Sequence, residues 1–181
     1  MIKKVLLVLG SLFLISQSFK ITQLIIELSI TSIGLSIFLA WLLTLFITGI
    51  FALSGFALPT QVLLPENYYF ISAPKNLSII YKLLKVEIFR KLLLATLWKS
   101  QKMRKGHFSG GKLGLKQLML QSKKSEFGHI LPFIVISFTC IYLIIEGEIL
   151  ISFIALIINV IGNLYPVILQ RYHRMRVQRL V

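Results

Sequence analysis

The 181-residue chain has no aspartate, six glutamates and a single cysteine. One thiol, Cys140, excludes an internal disulfide and a cysteine-rich metal centre, and it lies inside an apolar run. Charge is scarce: 14% of residues are charged and 56% are apolar, outside the usual range of soluble domains. What charge exists is one-sided, 20 Lys and Arg giving a formal net charge of +14. Nucleic acid is one partner for such an excess, but here the basic residues sit between long apolar runs rather than on a polar domain. Nucleic-acid binding is therefore set aside. Anionic lipid headgroups are the expected partner of this charge.

The apolar residues predict an all-α integral membrane protein with about four transmembrane helices. Lys3 and Lys4 precede an apolar run at 5–15, followed by Ser16, Gln17 and Ser18. A charged start, a short apolar run and small residues describe either a short membrane helix or a signal peptide. The semi-apolar continuation at 19–28, without a clean cleavage pattern, favours the helix. The second span, 30–58, is interrupted only by Thr, Ser and Gly and ends before Pro59 and Pro65. At about 1.5 Å per residue it exceeds the ~30 Å hydrocarbon core. The third and fourth spans are expected at 130–145 and 149–169, joined by Glu146, Gly147 and Glu148.

Between spans 2 and 3 lies the basic segment 66–128, with thirteen Lys or Arg against Glu66, Glu87 and Glu126. Ile80, Leu84, Ile88 and Leu92 recur along one side of a predicted amphipathic helix at 77–98, with Lys82, Lys85 and Lys91 off that stripe. Such a helix belongs in the membrane interface, anchored by Trp98. Gly106, Gly110 and Gly111 break the pattern, and a shorter helix is expected at 112–126. The chain thus divides into N-terminal spans at 1–65, the basic interfacial segment at 66–128, and a C-terminal hairpin with an Arg-rich tail at 129–181. Positive charge segregates to one side if four spans are counted, which predicts a multi-pass cell-membrane protein with both termini cytoplasmic.

Polar residues gather at the edges of the last two spans. Glu126 and His129 form an E-x-x-H pair, which on a helix shares a face, so the carboxylate can orient the imidazole as a base. Asn163 and Gln170 flank Pro166 near the end of the fourth span, and Arg171, Tyr172, Arg174 and Arg176 follow. Arg rather than Lys favours bidentate recognition of carboxylate or phosphate. A plainer account stays open: an interfacial Glu and His, amides that bond a neighbouring helix, and arginines that snorkel to lipid phosphates. His107 and His173 are weaker candidates. A di-iron carboxylate site needs a second E-x-x-H and further helix-borne glutamates, so no metal is expected. Nucleophile-elbow, P-loop, dinucleotide-binding and zinc-protease patterns are absent, and without Asp the H-x-x-x-x-D signature of soluble glycerolipid acyltransferases cannot occur.

The E-x-x-H at Glu126 and His129, with N-x-x-P-x-x-x-Q-R-Y-x-R-x-R from Asn163 to Arg176, resembles the glycosyl-4,4'-diaponeurosporenoate acyltransferase family of staphyloxanthin-type carotenoid biosynthesis. The similarity covers roughly residues 81–179. This chain differs in His173, where the family has Asn, in Ile130, where it has an aromatic, and in Ser100 and Gln101 after Trp98-Lys99, where it has L-P-D. The resemblance implies a membrane enzyme that esterifies a sugar hydroxyl of a glycosylated isoprenoid lipid with a fatty acyl chain. On this view His129, oriented by Glu126, takes the hydroxyl proton. Asn163 and Gln170 hold the oxyanion or sugar hydroxyls. Arg171, Arg174 and Arg176, beside Tyr172, bind an acyl carrier such as acyl-CoA or acyl carrier protein; no bound cofactor is needed. The alternatives from other classes are a noncatalytic membrane subunit that docks a partner through the basic loop, and a small lipid transporter.

Overall fold

The computed structural model describes residues 2–28, 32–96 and 111–179. In chain order its helices are α1 (Ile2–Leu28), α2 (Ile33–Ala57), α3 (Glu66–Tyr69), α4 (Pro74–Leu83), α5 (Val86–Ala95), α6 (Gly111–Ile145), α7 (Ile149–Asn159) and α8 (Tyr165–Gln178). A 3-10 turn (Thr60–Val62) follows α2, and a π-helical turn (Val160–Leu164) joins α7 to α8. Among the described residues there is no strand. Four helical stretches are long and apolar enough to cross a membrane: Ile2–Leu28, Ile33–Ala57, Gly114–Ile145 and Ile149–Gln178.

Three expectations change. The first span is a 27-residue helix rather than the short run at 5–15. The helices expected at 112–126 and 130–145 are one 35-residue helix that carries Pro132 in its interior. The amphipathic helix expected at 77–98 is two helices, because Lys85 takes a left-handed conformation with φ of 50°. Trp98, Gly106, His107 and Gly110 lie outside the described residues.

The chain forms two compact units. The first comprises Met1–Pro59 and Gly128–Leu164. Its core is a stripe from each helix: Ile21 and Ile25; Leu39, Ala40, Leu43 and Ile47; Ile136, Cys140 and Leu143; Ile151 and Ala155. These spacings of three and four put each set on one helical face. Small residues let helices approach: a Cβ at Gly10 would meet Leu53 Cδ1 at 3.1 Å, and one at Gly49 would meet Leu14 Cδ1 at 2.8 Å. Phe13, Phe38, Trp41, Phe138 and Phe153 point outward, as lipid-facing side chains do. Ser18, Thr22, Ser36, Ser137 and Ser152 each donate to a carbonyl four residues back, so their hydroxyls are satisfied without water.

The second unit comprises Thr60–Phe127 and Tyr165–Val181. Here α4 and α5 pack on α8. The Tyr81 ring stacks on Tyr172 with centroids 3.9 Å apart, and Phe89 meets Tyr165 edge-on at 5.5 Å. Tyr81 donates to Glu87 at 2.7 Å, and Arg90 grips the same carboxylate through Nε at 2.9 Å and a second guanidinium nitrogen. The break at Lys85 lets residues from both short helices reach α8 and brings Glu87 back to Tyr81.

Candidate active site

In the first unit the predicted residues His129 and Asn163 meet: His129 Nδ1 lies 3.1 Å from Asn163 Oδ1. His129 comes from α6 and Asn163 from the π-helical turn. Asn163 Nδ2 donates to Asn159 Oδ1 at 3.0 Å and to Thr48 Oγ1 of α2 at 3.1 Å. Asn159 Nδ2 in turn donates to the Phe133 carbonyl at 3.0 Å and to Ser137 Oγ at 3.3 Å. Asn159 and Asn163 are both fully buried. The two amides therefore spend all four of their hydrogens on protein partners, and neither leaves one for a substrate oxyanion.

Local sequence explains why these side chains sit where they do. Gly128-His129-Ile130-Leu131-Pro132 and Gly162-Asn163-Leu164-Tyr165-Pro166 share the pattern G-x-x-x-P, with the paired side chain directly after the glycine. A proline inside a helix removes the N–H that would bond the carbonyl four residues back, here that of Gly128 or Gly162. On α6 the helix continues through Pro132, whereas before Pro166 it widens into the π-helical turn, a local change often found at functional sites. Asn159, Thr48 and Ser137 were not singled out in the sequence. The paired G-x-x-x-P pattern is the signal that leads to the region, but nothing local marks Thr48.

In the second unit Glu126 is held by arginines. Arg174 donates to Glu126 Oε2, to Ser122 Oγ at 3.1 Å and to the Tyr69 carbonyl at 2.8 Å. Arg171 Nε lies 2.9 Å from Glu126 Oε1, an ion pair without hydrogen-bond alignment, and Arg171 donates from its other end to the Tyr68 carbonyl at 3.0 Å. Ser122 donates to the Gln170 carbonyl at 3.1 Å, so Gln170 takes part through its backbone. The arginines also face aromatic rings, Arg171 over Tyr68 at 5.0 Å and Arg174 over Tyr69 at 5.2 Å. Lys123 adds a chelating pair to both Glu66 oxygens at 2.6 Å.

This assembly pins the segment after the second span to α6 and α8. Glu126 and His129 thus have separate partners, arginines for the carboxylate and an amide for the imidazole, and they fall in different units. The physical reason is strength: a guanidinium fork offers a carboxylate charge-assisted bonds that a neutral ring cannot match. Arg174 is fully buried, Arg171 is 32% exposed and Arg176 is exposed. Burial pushes the Tyr68 phenol up to about 12, with the Glu126 carboxylate adding to the effect, so it stays neutral. Tyr172 is committed to its stack on Tyr81. Among the described residues no cluster of three or more His, Cys or Glu side chains gathers that could hold a metal.

A family model described as glycosyl-4,4'-diaponeurosporenoate acyltransferase matches residues 65–181. Searches of curated proteins and of solved structures return no match.

Proposed function

The chain belongs to the glycosyl-4,4'-diaponeurosporenoate acyltransferase family, and from that premise we propose that it joins a fatty acyl chain to a sugar hydroxyl of a glycosylated carotenoid-type lipid, with His129 as general base. It is an acyltransferase acting on a glycosylated carotenoid-type substrate; the hydroxyl, the donor and the base are the parts proposed. The observation that carries the base assignment is the bond between His129 Nδ1 and Asn163 Oδ1. An imidazole held at one nitrogen by a fixed acceptor has its other nitrogen available for a proton.

The proposed step is direct transfer. Nε2 of His129 takes the proton of the acceptor hydroxyl as its oxygen attacks the thioester carbonyl, forming a C–O bond and a tetrahedral oxyanion. The oxyanion collapses, the C–S bond breaks, and the leaving thiolate receives the proton from His129. The ester and a free thiol are the products. Cys140, buried in the helical core, suits no acyl-enzyme role. Asn163, its hydrogens engaged, serves to position the imidazole, and Glu126 serves the arginine clamp. Arg176 and the exposed part of Arg171 are left to meet an anionic carrier such as CoA or acyl carrier protein. With positive charge on the inner side, both termini and the 66–128 segment are cytoplasmic, where such carriers are found.

The test is complementation of a strain lacking the gene, read by lipid and pigment profiling. Wild type restores the acylated glycolipid; His129→Ala at equal abundance loses ~100- to 10,000-fold in turnover and accumulates the unacylated glycoside. Wild-type product from His129→Ala would remove the histidine from the mechanism. A null strain with an unchanged glycolipid profile would point instead to a noncatalytic membrane subunit.

A further inference from the structure

We infer that Asn159 is a positioning residue which, through Asn163, decides which nitrogen of His129 carries the proton; this rests on the proposal that His129 is the base. Ser137 has one hydroxyl hydrogen, and it donates to the Phe133 carbonyl at 2.7 Å. Its oxygen therefore only accepts toward Asn159, as the Phe133 carbonyl does. Facing two acceptors at 3.0 and 3.3 Å, Asn159 must present its NH2 group. That turns its oxygen to Asn163, which must answer with its own NH2, at 3.0 Å. The second hydrogen of that group goes to Thr48 Oγ1 at 3.1 Å. Asn163 Oδ1, an acceptor only, is then what His129 Nδ1 meets at 3.1 Å, so Nδ1 is the protonated nitrogen of the neutral ring. Nε2 keeps its lone pair.

The orientation of each group thus follows from the one before, beginning at a backbone carbonyl that cannot reverse. Flipping Asn159 would set its oxygen against Phe133 O and Ser137 Oγ. Flipping Asn163 alone would set two amide oxygens face to face. Both residues are buried, and a buried amide turned against a like group loses its hydrogen bonds at full desolvation cost. An acceptor orienting the Nδ1–H of a catalytic histidine is a known device; here a second amide, one helical turn away, makes a neutral asparagine reliable in that role.

The experiment is 15N NMR of histidine-labelled full-length protein in phosphatidylglycerol nanodiscs, with the His129 signals assigned by their loss in His129→Gln. In the wild type, at a pH where the ring is neutral, Nδ1 should be protonated and Nε2 bare. Asn159→Leu, similar in size but without a dipole, should give a mixture of tautomers. In the acyl-transfer assay it should lower kcat at least about tenfold with KM unchanged, short of the ~10⁴-fold loss seen when a catalytic histidine is wholly in the wrong tautomer. Ser152→Ala, which removes a hydroxyl on the same helix that bonds only the Glu148 carbonyl, should leave tautomer and rate alone. Asn159→Ala replaces the Leu variant if that one does not accumulate. A wild-type proton on Nε2, or an unchanged tautomer in both Asn159 variants, overturns the inference. If the tautomer responds as expected while His129→Ala still makes product, the relay stands and the acyl-transfer role of His129 falls.

Discussion

Removing the guanidinium of Arg174 should destabilise the protein more than any other change in the arginine tail. Arg174 and Glu126 both have fully buried side chains, and Arg174 also bonds Ser122 and the Tyr69 carbonyl. Arg174→Met leaves the carboxylate buried beside Arg171, whose Nε is close but not aligned to donate. Breaking a buried pair from one side costs about 3–5 kcal/mol. At roughly 2–4 °C per kcal/mol for a chain of this size, that is a drop of about 6–20 °C in melting temperature. Arg174→Lys keeps the charge but cannot serve three acceptors with one ammonium, so it should fall between wild type and Arg174→Met. Adding Glu126→Leu to Arg174→Met removes the stranded charge and should recover much of the loss, since an apolar replacement of a buried pair is often neutral. Arg176→Lys, at an exposed site, should stay within about 0.5 kcal/mol. The assay is thermal solubility of a fluorescent fusion in detergent. Arg174→Met melting within about 2 °C of wild type, or a double variant as unstable as the two single losses combined, would refute the clamp.

The acid limb of stability should involve Glu87. Arg90 first, and the Tyr81 hydroxyl second, hold its carboxyl down from 4.5 to about 2, so its contribution is present above pH 4.5 and is lost as pH falls toward 2. At 43% exposure that contribution is about 0.5–1 kcal/mol, and Glu87→Gln should remove it and flatten the acid limb of a melting-temperature profile; an unchanged limb counts against the pair. Lys85→Gly should stabilise by about 0.5–1 kcal/mol, because glycine takes the left-handed conformation without the strain a side chain adds there; a lower melting temperature would show that the turn is not strained. With four spans, single cysteines at Ser72 and Glu146 in a Cys140→Ala background should label from opposite sides of the membrane. Labelling of both from one side would mean that α6, the candidate span between them, does not cross.

Hydrophobic length alone made the four spans legible, because a helix that must satisfy its own backbone in lipid needs only an apolar run long enough to cross. The family was legible from Glu126, His129 and the residues from Asn163 to Arg176, since fixed spacing along the chain is a one-dimensional property. Helix ends were less so. The separate helices expected at 112–126 and 130–145 are one continuous α6, and no glycine or proline announces the break at Lys85.

The partners of the polar residues were decided only in three dimensions. Three-residue spacing put Glu126 and His129 on neighbouring positions of a helix, yet the carboxylate went to Arg171 and Arg174, and the imidazole went to Asn163. Spacing says which groups can meet along one helix; it carries no information about stronger partners delivered by another. Asn159, Ser137 and Thr48 read in the sequence as ordinary polar interruptions of apolar spans. Only the packing of α2, α6 and α7 turns them into an ordered relay, because a buried amide has no water to bond and must take its orientation from whatever donors and acceptors the neighbouring helices bring.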